Sequence, residues 1–269
     1  MRQVSDRLQT SPGVGFTERT ICYMDLLGFS DAVVLKSKDG SKINELALLL
    51  RDAEKLVGTY EGAELTFQSL SDSIFISTTN ESIDNIRSLI TCCQDIFTFF
   101  LTRGFLARGG VASGWCLVSS SIVLGEPVVR AVKLEQQVAE FPRIVVGKST
   151  IDLLRSEDSG NFIAENIVRG VDGPFWIDPF VPMFDFIRQT DLSWKNCEEV
   201  DRAKLQAERL KLIEEANLIA RFISENLYSM QENKRVFSFH YWMYVKYRES
   251  ANKLLSSVGS DLVVPDFSV

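Results

Sequence analysis

Hydrophobic and polar positions change period several times along the chain, and each change marks an element. Arg19–Asp25 is a short apolar run with the look of a strand, followed by helical spacing in Asp31–Leu35 and in Lys42–Leu56, where Ile43, Leu46, Leu49, Leu50 and Leu56 recur. Ala63–Leu70 and Ser73–Thr78 are β-rich runs parted by Ser71-Asp72, a hairpin signal. Ser82–Arg103 places Ile83, Ile86, Ile90, Cys93, Phe97 and Phe100 three or four residues apart, predicting an amphipathic helix against a sheet. Phe105–Ser113 predicts a strand ending in a turn at Gly114, Glu126–Ala139 a helix, Arg143–Val146 a strand, and Ser149–Leu154 a hydroxyl-capped helix. Phe162–Ile167 and Phe175–Ile177 are read as further extended segments.

Pro182 marks a change of character. Beyond it, Lys195–Ser229 and Lys234–Leu255 are long, charged helical stretches, the second rich in aromatics, so the expectation is a helical hairpin appended to an α/β core. Three regions result: a loose N-terminal arm (1–18), a core (19–182) and a helical extension (183–269).

Composition narrows the chemistry. The chain has 269 residues, 45% of them apolar, enough for a substantial core, and no apolar run of membrane-spanning length, so a cytoplasmic protein without membrane partners is expected. A net charge of −7 disfavours a nucleic-acid footprint. Five cysteines without C-x-x-C spacing and one histidine, His240, exclude a disulfide framework and multi-histidine zinc sites. His240, within an aromatic run, reads as a satisfied structural histidine, the cysteines as reduced packing residues, and Cys92-Cys93 as neighbours that cannot face the same metal from a helix, one of them packing. Val146-Gly147-Lys148-Ser149-Thr150 ends like a phosphate-binding loop, but Pro142 stands where its first glycine belongs, so it reads as a strand-to-helix turn. The aromatics of Phe237–Tyr247 read as core.

Two carboxylates, Asp25 and Asp72, close strand-like apolar runs, a costly position unless positive charge meets them. A pair of divalent cations is the natural partner. The turn Leu26–Ser30 leads into a helix, whose first backbone N–H groups suit phosphate oxygens.

On these residues the sequence resembles the class III nucleotide cyclases. Asp25-Leu26-Leu27-Gly28-Phe29-Ser30 matches their Asp-x-x-Gly-Phe-Ser/Thr element, Ser71-Asp72 their second metal aspartate, and Arg108-Gly109-Gly110-Val111-Ala112-Ser113-Gly114 their Arg-x-Gly-x-x-x-Gly strand. Leu124–Glu135 is similar to their Gly-x-x-Val-Asn-x-Ala-x-Arg-Leu helix. The resemblance runs from about Arg19 to Ile177 and implies an α/β (α+β) fold: a ferredoxin-like βαββαβ class III cyclase core with a largely antiparallel sheet and a C-terminal helical extension.

The departures are specific. By this alignment Gln68 replaces the base-reading lysine of adenylate cyclases, Ile122 their second base contact, Val129 the ribose-orienting asparagine and Lys133 the phosphate-binding arginine. Metal aspartates kept while purine readers are lost resembles the bacterial pyrimidine nucleotide cyclases of antiphage defence. That group implies a UTP or CTP substrate, UTP placed first because uridylate cyclases are the commoner, and a separate effector that responds to the cyclic nucleotide. It further implies two Mn²⁺ or Mg²⁺ ions held by Asp25, the Leu26 backbone and Asp72, with Asp25, Asp72 and Lys133 as the catalytic set. Leu26, Leu27, Gly28, Phe29, Gln68, Arg108, Arg130 and Arg169 are its nucleotide-binding candidates, and a homodimer its expected assembly.

Overall fold

The structure is a computed structural model that describes residues 15–60, 62–156, 160–193 and 199–255. Strand β1 (Phe16–Leu27) is followed by α1 (Phe29–Lys36), α2 (Gly40–Gly58), the hairpin β2 (Thr66–Leu70) and β3 (Ser73–Ser77), then α3 (Ile83–Leu101) and β4 (Leu106–Val118). These strands lie in the order β2-β3-β1-β4, every neighbouring pair antiparallel, which is the ferredoxin-like βαββαβ arrangement. The sheet continues through β6 (Ile144–Val146), parallel to β4, then β8 (Phe175–Ile177) and β7 (Ile167–Arg169), while β5 (Val123–Gly125) pairs with the far end of β4. The expected α/β fold is the observed one.

Side chains alternate across a strand, so the two faces of the sheet differ. Cys22, Met24 and Leu26 of β1 join Ile74, Ile76 and Val111 in the main core, which α3 closes with Ile86, Leu89, Ile90, Ile96 and Phe100, all fully buried. Burial of each such side chain contributes about 2 kcal/mol. Ser82 starts α3 by accepting the Asn85 N–H.

The opposite face carries Tyr23, Asp25, Phe75 and Arg108 and is covered in part by α4 (Glu126–Gln137). Close approach of α4 requires Gly110, since a Cβ there would lie 2.3 Å from the Ala131 carbonyl oxygen and 2.6 Å from Leu134 Cβ. Over β2 and β3 this face stays open, leaving Gln68 and Phe75 half-buried.

The structure corrects several expectations. Phe162–Ile167 is not extended: α6 (Gly160–Asn166) occupies most of it before β7 begins, and α5 (Lys148–Ser156) precedes it. The β4 strand runs through Gly114 to Val118, because both its edges find partners there, β1 on one side and β5 on the other. Pro182 lies at the second residue of α7 (Val181–Ser193), a helix the periodicity did not reveal.

Helices α8 (Glu199–Ser229) and α9 (Lys234–Leu255) share the main core rather than forming one of their own, as Ile219, Ile223, Met243 and Tyr247 pack in it with Phe180 and Phe184. The first residues expected in α8 lie partly outside the described residues. Tyr247 donates to the Ala216 carbonyl at 3.1 Å, and buried Asp178 accepts from Ser250 Oγ at 2.6 Å and from Phe180 N at 3.0 Å, tying α9 to the end of β8. His240 is buried on the edge of Phe222, but its Nδ1 has no hydrogen-bond partner among the described residues, so it is structural without being satisfied. Cys92 and Cys93 are both buried.

Candidate active site

Asp25 is two residues from the end of β1, with Ser73 opposite it on β3 and Arg108 opposite it on β4. Asp72 occupies the two-residue turn between β2 and β3, and its carbonyl accepts the Leu26 N–H at 3.0 Å. The turn needs a positive φ at its first position, which Ser71 supplies at 57°. Both carboxylates are thereby brought to one end of the sheet by local pairing. Burial raises the Asp25 pKa, and the Asp72 charge raises it further against the opposing effect of Arg108.

Gly28 takes φ 78° at the start of α1, a conformation that favours glycine, and contributes no side-chain cap. The first N–H groups of α1 are left for another acceptor, and they lie beside Asp25 and Asp72. Ser30, in the same turn, donates its hydroxyl to the Asp72 carboxylate. Phe29 points the other way, buried against Phe105 with ring centroids 5.4 Å apart.

Arg108 is not free to meet a phosphate within the chain. Its guanidinium lies 2.7 Å from Glu135 of α4, and both side chains are largely buried. Sequence reading overlooked Glu135; its signal was a lone acidic residue among the apolar, sheet-facing positions of α4. Burial raises the Glu135 pKa, Arg108 lowers it and Asp25 raises it, so these groups form one electrostatic cluster. Tyr23 closes the cluster from below, its hydroxyl 3.0 Å from Ser73 Oγ.

Asp25 and Glu135 thus share the Arg108 guanidinium, and Asp72 adds a third carboxylate close enough to Asp25 to raise its pKa. The excess negative charge fits a divalent cation held by Asp25 and Asp72, although no group of three His, Cys, Asp or Glu side chains converges as a ligand set among the described residues. Backbone and substrate oxygens would complete such a site.

The remaining candidates lie elsewhere. Gln68 shares the open face with Phe75 and Tyr23, and its amide donates to the Ser119 carbonyl in the loop between β4 and β5. Lys133 is exposed and, two residues from Glu135, occupies the opposite side of α4, where it lines a cavity of about 510 Å³ with Arg130 and Lys148. Arg130 pairs with Glu126 at 2.5 Å. Arg169 is exposed on the edge strand β7, four places along the sheet from β1, beside the Phe175 ring. One chain therefore brings together Asp25, Asp72, Arg108 and the Leu26–Phe29 turn, and does not bring Lys133, Arg130 or Arg169 to them.

No protein-family model matches the chain, and no curated protein matches it. Among solved structures it is similar to the guanylyl cyclase domain of the RhoGC fusion protein from the aquatic fungus Blastocladiella emersonii, at 15% identity over 61% of this chain and 96% of that one, with a TM-score of 0.46. It is also similar to an adenylate/guanylate cyclase/hydrolase from Silicibacter pomeroyi, at 14% identity over 61% and 96% of the two chains, TM-score 0.42. A bacterial light-regulated adenylyl cyclase matches at 15% identity over 61% and 92%, TM-score 0.41. The fold assignment rests on the strand order and register of the chain itself.

Proposed function

We propose that the chain is a metal-dependent pyrimidine nucleotide cyclase, converting UTP, or alternatively CTP, to the 3′,5′-cyclic nucleotide and pyrophosphate. The observation that carries the reading is the convergence of Asp25 and Asp72 beside the uncapped first turn of α1. In the reaction the ribose 3′-hydroxyl loses its proton to solvent, its oxygen bonds to the α-phosphorus, the bond from that phosphorus to the bridging oxygen breaks, and pyrophosphate leaves with the negative charge. Two Mn²⁺ or Mg²⁺ ions, when bound, would acidify the 3′-hydroxyl and offset charge on the triphosphate.

The chain's own groups set up that step. Asp25, Asp72 and the Leu26 backbone hold the ions, and Ser30 fixes the Asp72 carboxylate in place. N–H groups at the start of α1 receive the β- and γ-phosphates, an arrangement that costs no reorganisation during reaction. Gln68 offers both donor and acceptor to a pyrimidine edge, which suits uracil and cytosine alike. Lys133 faces away from Asp25 of its own chain; in the homodimer that the resemblance implies, with its two sites formed between the copies, it would serve the site of the second copy. The resemblance to antiphage cyclases supplies the role: a second messenger read by a separate effector.

Incubation with Mn²⁺ or Mg²⁺ and each of the four NTPs, with products identified by mass, tests the reading. Cyclic UMP or cyclic CMP is expected; turnover of ATP or GTP alone would replace it with an adenylate or guanylate cyclase. A second reading is a silent cyclase-like domain that binds nucleotides without turnover. It is favoured by Val129, apolar and 54% exposed where the resemblance places an asparagine for the ribose. NTP binding without product, unchanged in Asp72→Ala, would decide for it.

A further inference from the structure

The cavity of about 510 Å³ between α4 and the start of α5 is lined in part by Gly147-Lys148-Ser149, the centre of the loop-like run that the site at Asp25 does not use. Its floor is apolar, with Ala112 of β4 beside Leu134 and Val138 of α4. Gly147 lets the chain pass from β6 into α5 directly on β4. Its N–H donates to the Val111 carbonyl at 2.8 Å, and a Cβ at this position would lie 2.9 Å from that oxygen and 3.1 Å from Leu134 Cδ1.

The hydroxyls of the run are committed to packing. Ser149 Oγ accepts the Ser113 N–H at 3.2 Å, and Thr150 Oγ1 lies 2.8 Å from Ser113 Oγ, whose other neighbour is Thr20 Oγ1 at 2.7 Å. These bonds fix the first turn of α5 to β4 and leave Lys148 exposed at the cavity wall.

Lys133 reaches the same cavity from α4. Neither lysine has a hydrogen-bond or ion-pair partner among the described residues, whereas Arg130 in the same lining is held by Glu126 at 2.5 Å. Asp152, one turn after Lys148, is also unpaired among the described residues. Two free ammonium groups therefore meet one free carboxylate. The excess is positive and lies over an apolar floor, where its attraction for an anion is stronger than in open water. Because the whole chain carries −7, this is a local feature rather than part of a general basic surface.

The resemblance to class III cyclases places an arginine at position 133. A guanidinium grips a phosphate through two parallel N–H bonds, while an ammonium acts as a single point charge. The lysine found there thus loses one contact of two, and Lys148 offers the second from a neighbouring element. We propose that Lys148 and Lys133 together bind the phosphate chain of a nucleoside triphosphate, Lys148 supplying the contact that a lysine at position 133 lacks. The assignment rests on the cyclase reading, in which the metal-bound end of that nucleotide belongs to Asp25 and Asp72 of a second copy. Asp152 opposes binding and sets its strength.

Calorimetric titration of the full chain with inorganic triphosphate in EDTA tests the site without metal or turnover, and so separately from the cyclase reading. A Kd below about 1 mM is expected. Lys148→Gln and Lys133→Gln should each weaken binding about tenfold with a wild-type circular dichroism spectrum, and both side chains are exposed, so neither change opens the core. Lys148→Arg should keep the affinity, and Asp152→Asn should tighten it about threefold by removing the opposing charge. In turnover of whichever NTP the protein accepts, Lys148→Gln should raise KM about tenfold and leave Mn²⁺ affinity as in the wild type. Triphosphate binding that depends on Lys148 in a protein that turns over no NTP would keep the phosphate site and reject the cyclase reading. A Kd for triphosphate unchanged in Lys148→Gln, or a wild type that does not bind it below about 1 mM, would overturn the assignment.

Discussion

Glu135, not a phosphate, holds Arg108: the two lie 2.7 Å apart while Asp25 sits directly across the β1–β4 ladder from the same arginine. Arg108 therefore balances two acids at once, and the charge left over at Asp25 and Asp72 depends on Glu135. Neutralising it in Glu135→Gln leaves Arg108 wholly to Asp25 and cuts the attraction for a dication. Mn²⁺ affinity, read from the electron paramagnetic resonance signal of free Mn²⁺, should fall about tenfold. An unchanged affinity in a folded variant would separate Glu135 from the metal site.

Asp25 is placed against its own stability. Because burial and Asp72 raise its pKa, its ionised form is less comfortable in the folded chain than in the unfolded one. Asp25→Asn should thus raise the melting temperature of metal-free protein while lowering NTP turnover by about a thousandfold. Melting in EDTA beside a turnover assay checks both halves, and a variant that loses activity and stability together contradicts the first.

Gly110 is the contact that seats α4. Gly110→Ala forces a Cβ into the Ala131 carbonyl, so the helix must shift. A loss of about 2–3 kcal/mol in urea unfolding is expected, with Mn²⁺ affinity reduced because Glu135 and Arg108 move apart.

His240 gives a pH signature. Burial lowers its pKa to about 4, so the folded chain binds fewer protons than the unfolded chain between that value and the ordinary 6.5. The sign follows: its effect is absent above pH 7, and stability is lost as pH falls through that window, by roughly 3 kcal/mol near pH 4. Buried Asp178, with a raised pKa, acts in the opposite sense, so the comparison must be with His240→Phe in the same buffers. The variant should show a flatter stability profile between pH 7 and pH 5 by urea titration; an identical slope would exclude His240 as its source.

Local signals were easy to read where one periodicity or one turn decided the outcome. The spacing of Ile86, Ile90 and Phe97 placed α3 almost to the residue, and the span Lys234–Leu255 is α9 as observed. Ser71-Asp72 was legible as a hairpin because the β-rich runs on either side can close only there. Phe162–Ile167 was misread because a seven-residue helix is too short to show a period.

Sequence alone determined the order of elements from β1 to β4 and the position of α4, β6, α5 and α9, and with it the presence of Asp25 and Asp72 at the ends of strands, because these follow from spacing over a few residues. Tertiary structure decided who meets whom: Arg108 goes to Glu135, Gln68 to Ser119, Lys133 to the far side of α4, and α9 into the main core. These contacts join residues far apart in the chain. They are set by strand register and by which helix covers which face, neither of which a local pattern encodes.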